Sequence, residues 1–155
     1  MTEPKPFDMA KLFTQLVGKD VKFALFPHPA VTKIRQMYGM YSVVRTGREM
    51  VVKADLPLVA ALGAALIGLP AELGAERALQ TPMDESIRDA IHEVLNIAST
   101  VISPDERVTF SSFVLDPIYC KGEASEILKK PDVKINFRVT IDNGAPGIFT
   151  ILRKN

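Results

Sequence analysis

Between Pro82 and Ser103 the chain reads PMDESIRDAIHEVLNIASTVIS, its longest stretch with an unbroken helical period. Wound at about 100° per residue, Ile87, Ala90, Ile91, Val94, Leu95, Ala98, Val101 and Ile102 fall on one face. Asp89, His92, Glu93, Asn96, Thr100 and Ser103 fall on the other. Pro82 suits a first turn, Asp84 and Glu85 complement the positive N-terminal end, and Ser103-Pro104 closes the segment. The apolar face of such a helix packs the rest of the chain together. The polar face carries the densest set of chemically useful side chains in the sequence.

The flanking segments supply what that helix packs against. Residues 1–6 read as a flexible, proline-bearing arm, and 7–155 as a single domain. Phe7 to Val17 fits a helix ended by Gly18. Asp20 to Phe26 reads as a strand broken at His28-Pro29, and residues 30–37 are open between loop and short helix. Tyr38–Arg45 and Glu49–Ala54 form a hairpin about Thr46-Gly47-Arg48, with Tyr38 and Met40 on one face. Asp55 is the expected N-cap of an apolar helix over 56–67 stopped by Gly68, and Ala71 to Leu79 adds a short helical piece. Beyond the central helix, Arg107–Leu115 is a strand broken by Asp116-Pro117, with a short helix near Ala124–Leu128. Val133 to Ile141 alternates along its whole length, Asn143-Gly144 turns the chain, and Gly147–Leu152 returns.

The order is helix, strand, hairpin, apolar helix, then helix, strand, hairpin again. It predicts an α+β fold of two pseudo-symmetric helix-plus-three-strand halves, about 7–68 and 82–154. Six mostly antiparallel strands carry the long helices on one face. Asp20-Val-Lys-Phe echoes Arg107-Val-Thr-Phe, each followed by a strand-breaking proline, Pro29 and Pro117. An α+β domain without internal symmetry is the alternative.

Composition narrows the function by exclusion. Nineteen basic and 18 acidic residues, with lysines and arginines scattered along the chain, give no electrostatic case for nucleic acid or an anionic membrane. The apolar run Leu56–Leu69 is too short to span a bilayer, and the N-terminus has no signal-peptide core. The expected location is therefore cytoplasmic. His28 and His92 are the only histidines, and no Cys or His pair has ligand spacing, so no metal or other cofactor is expected on this chain. Gly63 and Gly68 lack the Lys-Ser/Thr of a phosphate loop and are expected to permit close helix packing. The single cysteine, Cys120, has no evident base and is expected to be a buried, inert thiol.

What remains is Asp89, Glu93 and Asn96 at i, i+4 and i+7, within about 60° of one another on the helix surface. Acids and amides on such a face are usually just solvated. Against that, Asn96 and His92 are mediocre helix formers placed mid-helix. The pattern [DS]-xxx-E-xx-N is also met by chance in roughly one of a few thousand windows.

That motif resembles the CheC/CheX/FliY family of chemotaxis phosphatases, which carry it on a long helix followed by a downstream proline. Asp89, Glu93 and Asn96 match the helical part. Pro117 is the nearest candidate for the proline and arrives slightly early. The first helix, FDMAKLFTQLVG, has no E-xx-N, so the chain resembles the single-site CheX type. The resemblance implies a homodimer formed by joining sheets and a phosphorylated CheY-like receiver as substrate. In that role Asn96 would orient the attacking water, Glu93 would pair with a receiver lysine, and Asp89 would support the docking. The metal ion would be the receiver's own. His92 lies beside this face and could tune docking with pH or be a solvated neighbour. Tyr119 and Cys120 could line the docking surface or pack beneath the loop. A non-catalytic module of the same fold, binding a response regulator or a flagellar component, is the rival reading.

Overall fold

A computed structural model describes residues 2–155. Its strands are β1 (Val21–Leu25), β2 (Gln36–Val43), β3 (Glu49–Asp55), β4 (Val108–Val114), β5 (Val133–Ile141) and β6 (Gly147–Arg153). Its helices are α1 (Pro6–Val17), α2 (Leu56–Leu66), α3 (Ala71–Ala78), α4 (Glu85–Ala98) and α5 (Glu123–Lys129). All six strands form one sheet in the order β1-β5-β6-β3-β2-β4, and every neighbouring pair is antiparallel.

That order carries the duplication further than simple repetition. β1 pairs with β5 and β4 pairs with β2, so each half lends its edge strand to the other half's hairpin. A pseudo-two-fold axis between β3 and β6, near the Val52–Ile151 pair, relates β1 to β4, β2 to β5 and β3 to β6. Neither half closes a sheet alone. The β1-to-β2 and β4-to-β5 connections are parallel crossovers, and both pass over the sheet face turned away from α1, α2 and α4.

The helical face holds the main core. Met9, Phe13 and Val17 of α1, Leu62 of α2 and Ile87, Ile91, Val94 and Leu95 of α4 pack on Phe23, Tyr41, Val52, Phe137 and Phe149 of the sheet. Phe13, Phe23, Phe137 and Phe149 form an aromatic cluster with centroids 5.3 to 6.2 Å apart, mostly edge-on, the arrangement ring quadrupoles favour. The opposite face has a smaller core under α5: Tyr38, Val51, Cys120, Ala124, Ile127 and Leu152. There the Glu49 carboxylate accepts from the Ala124 N–H at 2.6 Å, serving the first turn of α5 from a neighbouring strand.

Several local expectations are corrected. Asp55 makes no capping bond to α2. Its carboxylate accepts instead from Gln36 Nε2 at 2.6 Å and the Ile148 N–H at 2.9 Å, tying together the start of β2 and the start of β6. The chain is loop from Phe26 to Arg35, and β2 begins two residues earlier than Tyr38, at Gln36. Pro82 lies ahead of α4, after a cis Thr81–Pro82 peptide, because Asp84 is the residue whose side chain caps the helix. The helix ends at Ala98, not at Ser103. Past that point the helical period no longer sorts side chains, and Ser103 is buried, not solvated. Within β5, Asn136 is buried on the otherwise polar face, its Oδ1 accepting from Thr150 Oγ1 at 2.7 Å. Gly63 does permit close packing, since a Cβ there would meet the Cβ of Ala90 at 3.2 Å. Gly68, at φ +80°, serves to turn the chain. Ahead of α1, Pro4 is buried, and Thr2 donates through its N–H and hydroxyl to Asp105 Oδ2.

Candidate functional site

The site is built on α4 because that helix is held on three sides. Ile87, Ala90, Ile91, Val94, Leu95 and Ala98 are all buried, and Asp84 Oδ2 accepts from the Ile87 N–H at the N-terminus. At the other end the Ser99 N–H turns to Asn96 O, and the Leu95 carbonyl accepts from the buried Tyr41 hydroxyl at 2.6 Å. Asn96 therefore sits one residue from a fixed point in the sheet.

Asp89, Glu93 and Asn96 project from the outer face, and all three are exposed. Among the described residues none of their side chains makes a hydrogen bond or ion pair. They form a ridge of two carboxylates and an amide spanning about 10 Å of helix, with no competing internal partner. A side chain held ready on a rigid helix loses little freedom on meeting a partner, which is what positioning chemistry requires.

One flank of the ridge is an aromatic wall from β4. The His92 ring stands edge-on to Phe110 with centroids 4.8 Å apart, and the Arg88 guanidinium lies 5.6 Å from the centre of the Phe113 ring. His92 is thus exposed but not free of contact. Arg88 was missed in the sequence, although its i, i+4 spacing to His92 marks the same helix edge. Below Asn96 opens a cleft of about 600 Å³ whose lining includes Ser99, Thr100, Ser103, Asp105 and Phe110. Ser103 Oγ is buried there with no hydrogen-bond partner among the described residues. Asp105 is held below the ordinary carboxylate range chiefly by the Thr2 N–H, and Glu106 by its hydrogen bond from Arg45.

Pro117 is not joined to this ridge by any hydrogen bond, ion pair or ring contact in the structure. It is exposed and opens a 3-10 turn, Pro117–Tyr119, in which Asp116 Oδ1 accepts from the Ile118 N–H. The turn leads to Cys120 in the core beneath α5. Tyr119 stays 66% exposed while Cys120 is buried. Burial, and then the Glu49 carboxylate, push the Cys120 thiol up, away from the thiolate a nucleophile needs. Among the described residues no three His, Cys, Asp or Glu gather as a metal site, and no helix is long and apolar enough to cross a membrane.

The pseudo-axis pairs α4 with α1. Sliding the two so that Val17 falls on Ala98 lays buried Met9 and Phe13 on Ala90 and Val94. It also lays Asp8, Leu12 and Gln15 on Asp89, Glu93 and Asn96. The acid is kept, the glutamate is replaced by an apolar residue, and the amide is one methylene longer. The ridge is complete on one helix and degenerate on the other.

A six-stranded antiparallel sheet with exchanged edge strands and two related helices on one face is the CheC/CheX/FliY fold. Three solved structures illustrate it. The FliM middle domain from H. pylori is 12% identical at a TM-score of 0.57, over 96% of this chain and 84% of that one. CheX in the CheX-CheY-BeF3-Mg complex from Borrelia burgdorferi is 10% identical at 0.54, over 96% and 95%. FliY from Thermotoga maritima is 15% identical at 0.53, over 94% and 82%. At these identities the likeness is one of fold. No protein-family model and no curated protein matches the sequence.

Proposed function

We propose that this protein removes the phosphoryl group from an aspartyl phosphate on a CheY-like receiver, using the ridge of α4. The observation that carries the reading is the unpartnered state of Glu93 and Asn96 on the one exposed face of an otherwise buried helix. Support comes from the fold, which also occurs in a CheX-CheY complex. The Asn96 amide accepts a hydrogen bond from a water and aims its lone pair at phosphorus, in line with the departing aspartate oxygen. Glu93 pairs with a lysine beside the phosphoaspartate, anchoring the helix. Asp89 lies one turn nearer the N-terminus and extends the docking surface. The phosphoryl group arrives with the receiver's own metal ion, so this chain supplies position and no cofactor. Pro117 belongs to the docking surface in this proposal through its exposed turn.

The test is phosphate release from a phosphorylated receiver, with wild-type protein and with Asn96→Ala and Glu93→Gln. A rate unchanged by wild-type protein across a panel of receivers would sink the proposal. Loss of activity in Asn96→Ala with unaltered thermal unfolding would support it. The second reading, a non-catalytic interaction module, is favoured by the equal likeness to FliM middle domains, one of which was solved as a FliG-FliM complex. Receiver binding without accelerated release would select it. The outer edges of β1 and β4 carry no strand partner, so a homodimer by sheet joining is also proposed, checked by light scattering.

A further inference from the structure

We infer that the sheet face opposite α4 is a second docking surface, shaped for an acidic segment of a partner protein and separate from the receiver site. Four of the 19 lysines and arginines that look scattered along the chain are placed there by strand alternation. Lys22 of β1, Lys53 of β3 and Lys134 and Arg138 of β5 all occupy positions whose neighbours on either side face the main core. Register brings them together. Lys53 lies opposite Thr150, and Thr150 opposite Asn136, in one row across β3, β6 and β5, with Lys134 two residues along from Asn136.

Between the two crossovers this face sinks into a trough of about 400 Å³. Lys53, Lys129 and Lys134 line it, over a floor that includes the Asn136–Thr150 pair, Ile148 and Leu152. The only carboxylate lining it is Asp55, which is buried and already holds Gln36 and the Ile148 N–H. Lys53, Lys134 and Arg138 make no ion pair among the described residues. Positive charges gathered on one face without counter-ions repel one another, and an anionic partner relieves that repulsion. Val31, fully exposed on the rim, and Leu128 add apolar contact, so the trough suits a segment that mixes carboxylates with aliphatic side chains. A second copy of this chain would set lysine against lysine. The α4 ridge carries Asp89 and Glu93 on the other side of the molecule, so both surfaces can be occupied at once.

The experiment is fluorescence anisotropy of a labelled ten-residue peptide of glutamates interrupted by two leucines, titrated with the full-length protein. The expected result is saturable binding that weakens about tenfold in Lys53→Glu/Lys134→Glu and falls between about 50 and 300 mM salt, as screened charge contacts do. Asn96→Ala should bind as wild type does. Lys53→Gln/Lys134→Gln, which removes charge without reversing it, should give an intermediate loss, and circular dichroism confirms that each variant is folded. Absence of binding, or equal binding by the double variants, overturns the inference. So does tighter binding of a labelled single-stranded oligonucleotide than of the peptide, which would make the face a polyanion surface.

Discussion

The hydroxyl of Tyr41 donates to the carbonyl of Leu95 at 2.6 Å, a buried bond that ties the middle of β2 to the last turn of α4. Tyr41 is 1% exposed and rests against Phe110 with ring centroids 5.2 Å apart, so no solvent can replace the hydroxyl. Tyr41→Phe keeps the ring and leaves the Leu95 carbonyl without that partner. The expected cost is about 1–3 kcal/mol, that of an unsatisfied buried acceptor. Urea unfolding checks it, with a lower midpoint and unchanged slope. Because Asn96 adjoins Leu95, receiver dephosphorylation by this variant should also fall while Asp89 and Glu93 are untouched.

The same residue sets an alkaline limit. Burial pushes the Tyr41 phenol well above the ordinary tyrosine value of about 10. The folded state therefore keeps its proton where the unfolded chain gives it up. The contribution is fully present below about pH 10 and is lost as pH rises from there toward the folded-state value. Wild-type stability should decline more steeply above about pH 10 than that of Tyr41→Phe. Thermal unfolding across that range measures it, and parallel curves would refute the assignment.

These two predictions rest on contacts that no local pattern announces, and the boundary between legible and illegible lies there. The face of α4 as far as Ala98, the alternation of Val133 to Ile141 and the turn at Gly47 are short-range features, and each formed where the spacing placed it. The ridge residues were legible for the same reason, since helix geometry alone brings Asp89, Glu93 and Asn96 together. The second hairpin turns one residue earlier than Asn143-Gly144, about Asp142-Asn143, with the Gly144 N–H donating to the Ile141 carbonyl and the positive φ at Asp142. The exchange of β1 and β4 between halves is long-range pairing that alternation cannot specify, because an alternating strand fits any neighbour equally well. Asp55 shows the same limit. Its position favoured a cap, yet the carboxylate found partners on the two strands that flank β3, Gln36 of β2 and the Ile148 N–H of β6. Ser103 was assigned to the polar face by continuing a period beyond the residue where the helix stops. The basic face stayed hidden because its lysines come from three strands far apart in sequence.

Gly74 tests how α3 supports the site. In an exposed helix, Gly→Ala is stabilising by about 1 kcal/mol. Here a Cβ would come within 2.6 Å of the Ala64 Cβ and 3.0 Å of the Ala60 carbonyl carbon, so α3 would have to move off α2. Arg77 of α3 accepts from the Asp84 N–H through its carbonyl and lies 3.9 Å from the Asp84 carboxylate that caps α4. Gly74→Ala should therefore destabilise by about 1–3 kcal/mol, the cost of overpacking, opposite in sign to helix propensity. Differential scanning calorimetry decides between the two signs.

The degenerate ridge on α1 can be rebuilt. Leu12 is half-buried and Gln15 exposed, and both stand where the pseudo-axis places the equivalents of Glu93 and Asn96. Leu12→Glu/Gln15→Asn, with Asp8 retained, gives α1 the same acid, glutamate and amide at the same spacing. Phe13 and Met9 beneath are unchanged, so the core face of the helix is preserved. If position alone makes the α4 ridge work, receiver dephosphorylation per subunit should rise about twofold, as two independent sites would give. In an Asn96→Ala background the same pair should restore measurable activity from zero. A folded double variant that stays inactive in that background would show that the ridge needs its surroundings as well, with the His92–Phe110 and Arg88–Phe113 wall as the first feature to transplant. The equivalent positions on α1 are Lys11 and Phe7, and Phe7 is 74% exposed with no aromatic contact of its own.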